Sequence, residues 1–379
     1  MEILRFHLDN IGKIGGFAFS NARAGEAVSV CTSASLTSDD ALFYEIMEGI
    51  DAAILSKAGL FVSGIYQFLA VLHDDGTADL YVNEFPVLLK TTAKADMTKG
   101  QVVSLNDIAD IRSLVFEGGL IGETDRLIYC FKVGWKFGLF FDLERQSDPD
   151  YQLDSEQIGE SIGSLYRYLA FQHVYKILES KPQFEQMMNA GWFPFVELLG
   201  SDFKVISQIY ESGFDIDVRV SQLLQKFDFA RINRITGRWW RYPLFTDKRP
   251  ILEAGVNAFL QNTHEGDILC LKTLLSEIEG LMIRQLYDDQ GATKPTVKGM
   301  TEHIRETGLR KSGSETSLLL PAQFTEYLNT VVFRGFDLAS GSVILSRHSS
   351  AHGVASPGEY TRARALQAIL TLDQIQFYL

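Results

Sequence analysis

The chain has 379 residues, which exceeds one usual hydrophobic core and predicts two or three domains. Its hydrophobic content of 46%, with 12% aromatic residues, is typical of a folded chain and excludes a disordered one. No run of about 18 apolar residues occurs, so we expect no transmembrane helix and no membrane partner. The acidic residues near the N-terminus and three scattered cysteines favour a cytoplasmic location.

The formal net charge of −13 argues against general coating of nucleic acid. The acidity is concentrated early, because residues 1–180 hold 14 Lys and Arg against 26 Asp and Glu. Any contact with nucleic acid must therefore be local and lie later in the chain. The acidic N-terminal part is instead a candidate surface for a regulatory protein partner.

Residues 1–150 are predicted to form a β-rich domain. Turn signals such as Asp75-Gly76 separate runs of β-branched and aromatic residues, and that pair predicts a hairpin. One helix is expected over Asp39–Lys57. The predicted strands are Phe61–Leu72, Ala78–Leu89, Leu114–Phe116, Leu127–Phe131 and Lys136–Phe141.

Residues 151–250 are predicted to form a helical middle region. Apolar residues recur there at spacings of three and four, as on one face of a helix. The predicted helices are Ser155–Ser180, Phe184–Asn189, Pro194–Leu199, Phe203–Ser212 and Val218–Asp228, and the series continues into Pro250–Thr263.

One segment of this region is both basic and aromatic. Arg231, Arg234, Arg238 and Arg241 are interleaved with tryptophans, of which Trp239 is the first. Guanidinium groups can hold phosphates while indoles stack on bases, so these five residues are candidates for RNA binding. The alternative is a helix end whose tryptophans fill a joint between domains and whose arginines pair with the acidic N-terminal domain.

Residues 251–379 are predicted to form a further helical domain. Asp267–Asp288 has the broadest apolar face, and Glu359–Leu379 is a second apolar helix. Together they carry more apolar surface than one small bundle needs, which predicts a homodimer. Between them we expect a long polar loop or flap over Asp289–Ser317, a helix over Pro321–Phe333 and a short helix over Val343–His348.

The motif that indicates chemistry is Arg347-His348, with a second histidine at His352. Arginine presents a fork of donors suited to phosphate oxygens, and histidine can transfer a proton near pH 7. A similar spacing occurs by chance, as the pair Arg167 and His173 illustrates, and we interpret that pair as structural.

The segment from about residue 255 to the end resembles a HEPN domain. The signature of that family is Arg, then Asn, Asp or His, then three residues and His, which here is Arg347, His348, Ser349-Ser350-Ala351 and His352. Catalytic members are metal-independent endoribonucleases without a cofactor, found in bacterial toxins and antiviral effectors. They act as dimers with two motifs facing one cleft.

The resemblance implies a role for each motif residue. Arg347 would neutralise charge on the phosphate, and His352 would transfer the proton when the 2′-hydroxyl attacks. His348 would hold the phosphate or orient His352. Glu279, on the preceding helix, would orient a histidine, or it is a solvated helix residue. The expected fold is α+β, a β-rich domain followed by helices that end in a HEPN-like bundle.

The alternative function is not enzymatic. Many HEPN domains have lost catalysis and serve for dimerisation or ligand binding. Val354 stands where some toxin members have a tyrosine, so regulation through that tyrosine is not supported. In this alternative Arg347 and His352 are buried and satisfied within one chain, whereas in an enzyme they are exposed in a cleft.

Overall fold

The computed structural model describes residues 3–8, 15–144, 148, 150–340 and 343–379. Strands fill much of the first 140 or so residues and helices follow, so the predicted α+β class is confirmed. The chain divides into two compact units. The first comprises residues 1–91 and 111–172, and the second comprises residues 92–110 and 173–379.

The described strands and helices have the following bounds. The strands are β1 (Ile3–His7), β2 (Phe17–Ala18), β3 (Val30–Cys31), β4 (Ser33–Thr37), β5 (Gln67–Leu72), β6 (Thr77–Val82), β7 (Val87–Ala93), β8 (Ile108–Phe116), β9 (Arg126–Val133) and β10 (Lys136–Asp142). The helices are α1 (Ala41–Ile50), α2 (Ser155–Ala170), α3 (Gln172–Glu179), α4 (Lys181–Asn189), α5 (Ser201–Ser212), α6 (Ile216–Leu224), α7 (Phe229–Trp239), α8 (Pro243–Asp247), α9 (Arg249–Leu260), α10 (His264–Gln290), α11 (Val297–Ser312), α12 (Pro321–Tyr327), α13 (Arg347–Ala351) and α14 (Arg362–Tyr378).

The first unit is built on a six-stranded antiparallel sheet in the order β1-β6-β5-β9-β10-β4. Successive side chains of a strand point to opposite faces. Phe68, Ala70 and Leu72 therefore join the core formed with α1, whereas Leu69 and Val71 join the core formed with α2. The sheet is covered on both faces, which explains why β5 is an unbroken apolar run.

Helix α2 approaches the backbone of β8 closely. A side-chain carbon at Gly163 would lie 2.5 Å from the Cα of Ser113, and one at Gly159 would lie 2.5 Å from the carbonyl oxygen of Leu114. The two glycines are four residues apart and share one helix face. They permit a contact that no larger residue allows.

Two predicted strands are shorter than expected. The predicted strand Ala78–Leu89 is two strands, because the chain turns at Asn83, where φ is +58°. Of Phe61–Leu72 only the β5 residues are extended in the sheet. The hairpin predicted at Asp75-Gly76 is confirmed, since β5 and β6 pair on either side of it.

The two compact units differ from the three segments expected from the sequence. The helix α2 packs on the sheet and so belongs to the first unit, past the expected boundary at residue 150. Residues 92–110, which include the adjoining ends of the paired strands β7 and β8, belong to the second unit, although the chain on either side of them belongs to the first. No change in composition indicates these boundaries. The expected boundary at residue 250 has no counterpart in this division.

The second unit is organised around α10, which runs from a Thr263 cap to Gly291, where φ is +67°. Helices α9, α11, α13 and α14 pack against it. Nearly all of α14 is buried, from Ala365 to Tyr378. The apolar surface of Glu359–Leu379, from which a dimer was predicted, is therefore used within this chain.

The prediction of a polar loop over Asp289–Ser317 is wrong for most of that segment, because residues 297–312 form α11. Thr296 caps the helix by accepting from the Gly299 amide at 3.1 Å, and Gly313 ends it with φ at +74°. The residues on its buried face are mostly polar or small, so the sequence lacks the apolar residues at spacings of three and four that usually indicate a helix. The buried residues are Met300, Thr301, His303, Ile304, Gly308 and Ser312.

The predicted helix Pro194–Leu199 is absent. Residues 194–199 form a turn that is buried among aromatic rings, with Phe195 against Tyr327 at 5.3 Å between ring centres. Pro194 disfavours helical geometry at the residue before it.

No described helix is long and apolar enough to cross a membrane.

Candidate active site

The Arg-His motif lies on the short helix α13. Ser346 begins the helix, since its hydroxyl accepts from the Ser349 amide at 3.2 Å and its own amide donates to the Ser349 hydroxyl at 2.8 Å. The Ser346 hydroxyl also donates to the carbonyl of Arg334 at 2.8 Å. The predicted helix Val343–His348 is thus displaced, because the reciprocal serine cap fixes the first turn at Arg347.

Arg347 is held by the carboxylate of Glu279 on α10 through an ion pair from its Nη2. Its side chain is 27% exposed and that of Glu279 is 14% exposed. Its Nη1 lies 3.4 Å from Nδ1 of His348. The Nε atom is buried and has no hydrogen-bond partner among the described residues. One edge of the guanidinium is therefore anchored while one donor remains unused.

The two motif histidines differ in exposure. His352 follows the last turn of α13 and is exposed, with its ring 5.6 Å from the ring of Phe336. His348 is half-buried, 6.4 Å from the ring of Phe333. Five residues along a helix turn the side chain by roughly 140°. Arg347 and His352 are thus near each other in the chain but leave α13 in different directions.

Lys272 is a further cation beside the motif that the sequence analysis missed. Its Nζ donates to the carbonyl of Ser350 at 2.8 Å and lies 5.2 Å from the centre of the Tyr360 ring. Lys272 precedes Glu279 by seven residues, two turns on the same face of α10. That spacing was the signal available in the sequence.

The second Arg-His pair has structural contacts, as the sequence analysis interpreted it. Arg167 is buried and donates to the carbonyl of Ile111 at 2.6 Å. The ring of His173 lies 2.8 Å from the carbonyl of Leu199, and burial lowers the pKa of His173. Both side chains therefore contact the backbone, and Arg167 also donates to the hydroxyl of Ser164 at 3.3 Å.

The basic-aromatic segment is part of the core of the second unit. Trp239 is fully buried, and its Nε1 donates to Asp373 at 3.0 Å. Arg238 is buried beside it and donates to Asp373 through Nε at 2.7 Å and to Glu197 through Nη2 at 3.0 Å. A buried indole offers no face to a base, so Trp239 has a structural role, as in the alternative. The carboxylates that hold Arg238 belong to the second unit and not, as that alternative expected, to the N-terminal domain.

The other arginines of the segment also pair with carboxylates. Arg231 and Arg234 donate to Glu197 at 3.1 and 2.5 Å, and the exposed Arg241 pairs with Asp96. Burial alone would raise the pKa of Glu197, but the arginines outweigh it and lower that pKa. The carboxylate therefore stays ionised and forms ion pairs with the arginines around it.

Comparison with known proteins identifies no relative. No protein-family model, curated protein or solved structure matches the chain. Among the described residues, no three His, Cys, Asp or Glu side chains are grouped to hold a metal ion. A function has to be inferred from the side chains around α13.

Proposed function

We propose that the chain is a metal-independent endoribonuclease of HEPN type, acting in defence or in a toxin-like stress response. The observation that carries the proposal is the placement of Arg347 and His348 on one short helix and of His352 directly after its last turn, with the helix fixed to α10 through Glu279. This brings a permanent cation next to one imidazole, that of His348, and places a second, exposed imidazole, that of His352, at the end of the same helix. These are the groups that phosphodiester cleavage needs.

The chemistry follows from the chain's own side chains. The 2′-hydroxyl of RNA attacks the adjacent phosphorus once its proton is removed, and the 5′-oxygen leaves when it is protonated. His352, the exposed imidazole, transfers the proton. Arg347 neutralises the negative charge that grows on the non-bridging oxygens. His348 holds the phosphate or orients its neighbours.

The directions of the side chains support a site made by two copies. Arg347 and His352 diverge around α13, and no hydrogen bond joins them in the described part of the chain. A second α13 facing the first would place the arginine of one copy opposite the histidine of the other. The apolar surface of the last helix does not support a dimer, because it is buried within the chain.

The competing proposal is a non-catalytic dimerisation or sensor module. The ion pair between Arg347 and Glu279 favours it, because that pair gives the arginine a structural partner. The same pair serves an enzyme by fixing the guanidinium before substrate binds. Only cleavage of RNA separates the two.

The test is incubation of the purified protein with RNA in EDTA. We expect cleavage that leaves 2′,3′-cyclic phosphate ends and spares DNA of the same sequence, because the 2′-hydroxyl is the nucleophile. His352→Ala should lower the rate by about 10²-fold or more, the usual scale for a lost acid–base group. Arg347→Lys should also be poor, since a point charge cannot replace the planar fork.

The matched controls are His264→Ala and Arg284→Ala, which alter exposed residues on α10. Both should retain the wild-type rate. Cleavage that survives the double change of Arg347 and His352 would assign the chemistry to other residues. An intact dimer without any cleavage of RNA would support the non-catalytic module.

A further inference from the structure

A cleft of about 550 Å³ lies in the second unit, away from the motif residues. It is formed by residues of the 92–110 segment, the start of α5 and the start of α7. Its size is that of a small-molecule site. Polar and charged groups dominate its wall, among them Lys94, Asn106, Ser201, Lys226 and Arg234.

Lys94 is the unusual member of this wall. It is only 6% exposed, and its ammonium group has no hydrogen bond or ion pair with any described residue. Its backbone is fixed on both sides, because its amide donates to Asp107 at 2.9 Å and its carbonyl accepts from Arg238 at 3.0 Å. Burial lowers the pKa of Lys94 to about 8, against the attraction of Glu197.

Three carboxylates line the cleft: Glu197 and Asp202 pair with cations, and Asp228 accepts from the Arg231 amide at 2.9 Å. Glu197 accepts from three arginines, and Asp202 pairs with Lys226 at 3.1 Å and with Arg231 at 2.8 Å. Asp107 is engaged by Ser104. The charge of Lys94 therefore has no dedicated counter-ion. A buried ammonium without one is costly, and a bound anion would remove that cost.

The start of α5 adds donors to the same wall. Gly200 begins this helix without a side-chain cap, so its first amides have no side-chain acceptor. The side chain of Asn106 lies close to this helix start, since a side-chain carbon at Gly200 would be 2.0 Å from its Oδ1. The partial positive charge of a helix start favours an anion.

We propose that this cleft binds a small phosphorylated ligand, with a phosphate group facing Lys94 and the start of α5. A phosphate carries up to two charges and several acceptor oxygens, which match a lysine, the flanking Arg234 and Lys226, and free amides. The site is separate from the proposed nuclease. It gives the second unit a means of responding to a phosphorylated metabolite.

The direct test uses pyrophosphate and the full chain. Calorimetry should show saturable binding, and the thermal midpoint should rise with ligand. Lys94→Met should weaken binding by tenfold or more while the free protein remains folded, with an unchanged or higher midpoint, because an unpaired buried charge is gone. The proposal would be overturned if the wild-type protein did not bind pyrophosphate, or if the Lys94→Met variant bound it as tightly as the wild type does.

A chemical probe tests the position of the lysine independently. Pyridoxal 5′-phosphate carries a phosphate and an aldehyde. A neutral amine adds to the aldehyde and loses water to give an imine, which borohydride reduces to a stable secondary amine. We expect labelling of Lys94 that pyrophosphate prevents, whereas labelling of the exposed Lys181 should be unaffected by pyrophosphate.

Two outcomes of this labelling count against the site. An unlabelled Lys94, or labelling that pyrophosphate does not reduce, would show that no phosphate occupies the cleft. Protection by an RNA oligonucleotide but not by pyrophosphate would assign the cleft to RNA. Neither result depends on cleavage of RNA, so the nuclease proposal is tested separately.

Discussion

The buried carboxylate of Asp373 offers the sharpest test of how the second unit is held together. Asp373 is 1% exposed and accepts from Arg238 Nε at 2.7 Å, from Arg238 Nη2 and from Trp239 Nε1 at 3.0 Å. Asp373→Ala removes all three acceptor contacts. It leaves the guanidinium and the indole buried with fewer partners.

The structure sets the size of the effect. Removing one partner of a buried ion pair costs about 3–5 kcal/mol. Arg238 keeps Glu197 at 3.0 Å and the carbonyl of Lys94 at 3.0 Å, so the lower end, about 3 kcal/mol, applies. Since folded domains are stable by only about 5–15 kcal/mol, this is a large fraction of the whole. At a urea m-value of about 1–3 kcal/mol/M, the midpoint should fall by about 1–3 M.

The assay is urea unfolding followed by tryptophan fluorescence. Trp192 and Trp239 are both buried in the second unit and change environment when it unfolds. The matched control is Asp96→Ala, which removes the exposed partner of Arg241 and should cost less than about 1 kcal/mol. Equal losses from the two variants, or no loss from Asp373→Ala, would refute the reasoning.

Further predictions concern both units. Gly163→Ala should destabilise the first unit by roughly 1–3 kcal/mol, because the new carbon meets β8 backbone, whereas Gly237→Ala, with open space around it in α7, should stabilise the second by up to about 1 kcal/mol. Burial lowers the pKa of His73, but Asp125 and Asp79 outweigh it and raise that pKa. The resulting stabilisation is complete below the unfolded pKa of about 6.5 and is lost as pH rises through the folded value. His73→Gln should therefore cost more stability at pH 5.5 than at pH 8, as measured by urea unfolding at both values.

Each of these outcomes can fail in a recognisable way. Equal stability of the Gly163→Ala variant and wild type would mean that α2 and β8 do not touch through their backbones. A loss from His73→Gln that is the same at both pH values would mean that its charge makes no contribution. A destabilised Gly237→Ala variant would contradict the open space beside α7.

The sequence predicted elements best where apolar spacing alone decides the structure. The long face of α10 and the runs of β5, β9 and β10 are clear because their apolar residues are buried against several neighbours. Helix α11 escaped prediction because His303, Thr301 and Gly308 fill its buried face, and hydropathy does not register buried polar or small residues. The assignment of residues 92–110 to the second unit could not be predicted, since it depends on contacts with residues far along the chain.

The candidate sites divide in the same way. Arg347, His348 and His352 are close in the chain, so a motif identifies them. Glu279 was expected to orient a histidine or to be solvated, but its largely buried carboxylate pairs with Arg347 instead. Lys94 has no local signal, because apart from Asn106 and Asp107 the groups around it lie about 100 or more residues away. The basic-aromatic segment was predicted to bind RNA, which requires exposed side chains, whereas the fold buries Arg238 and Trp239.

The distance along the chain between Arg238 and Asp373, 135 positions, has a consequence for synthesis. At about 5–20 residues per second, a ribosome needs roughly 7–27 s to reach the aspartate after the arginine. During that interval the emerging polypeptide has a cation and an indole without their acceptor, and an α10 surface without α14. The contacts that Arg238 and α10 make with α14 can therefore form only after α14 itself has been translated.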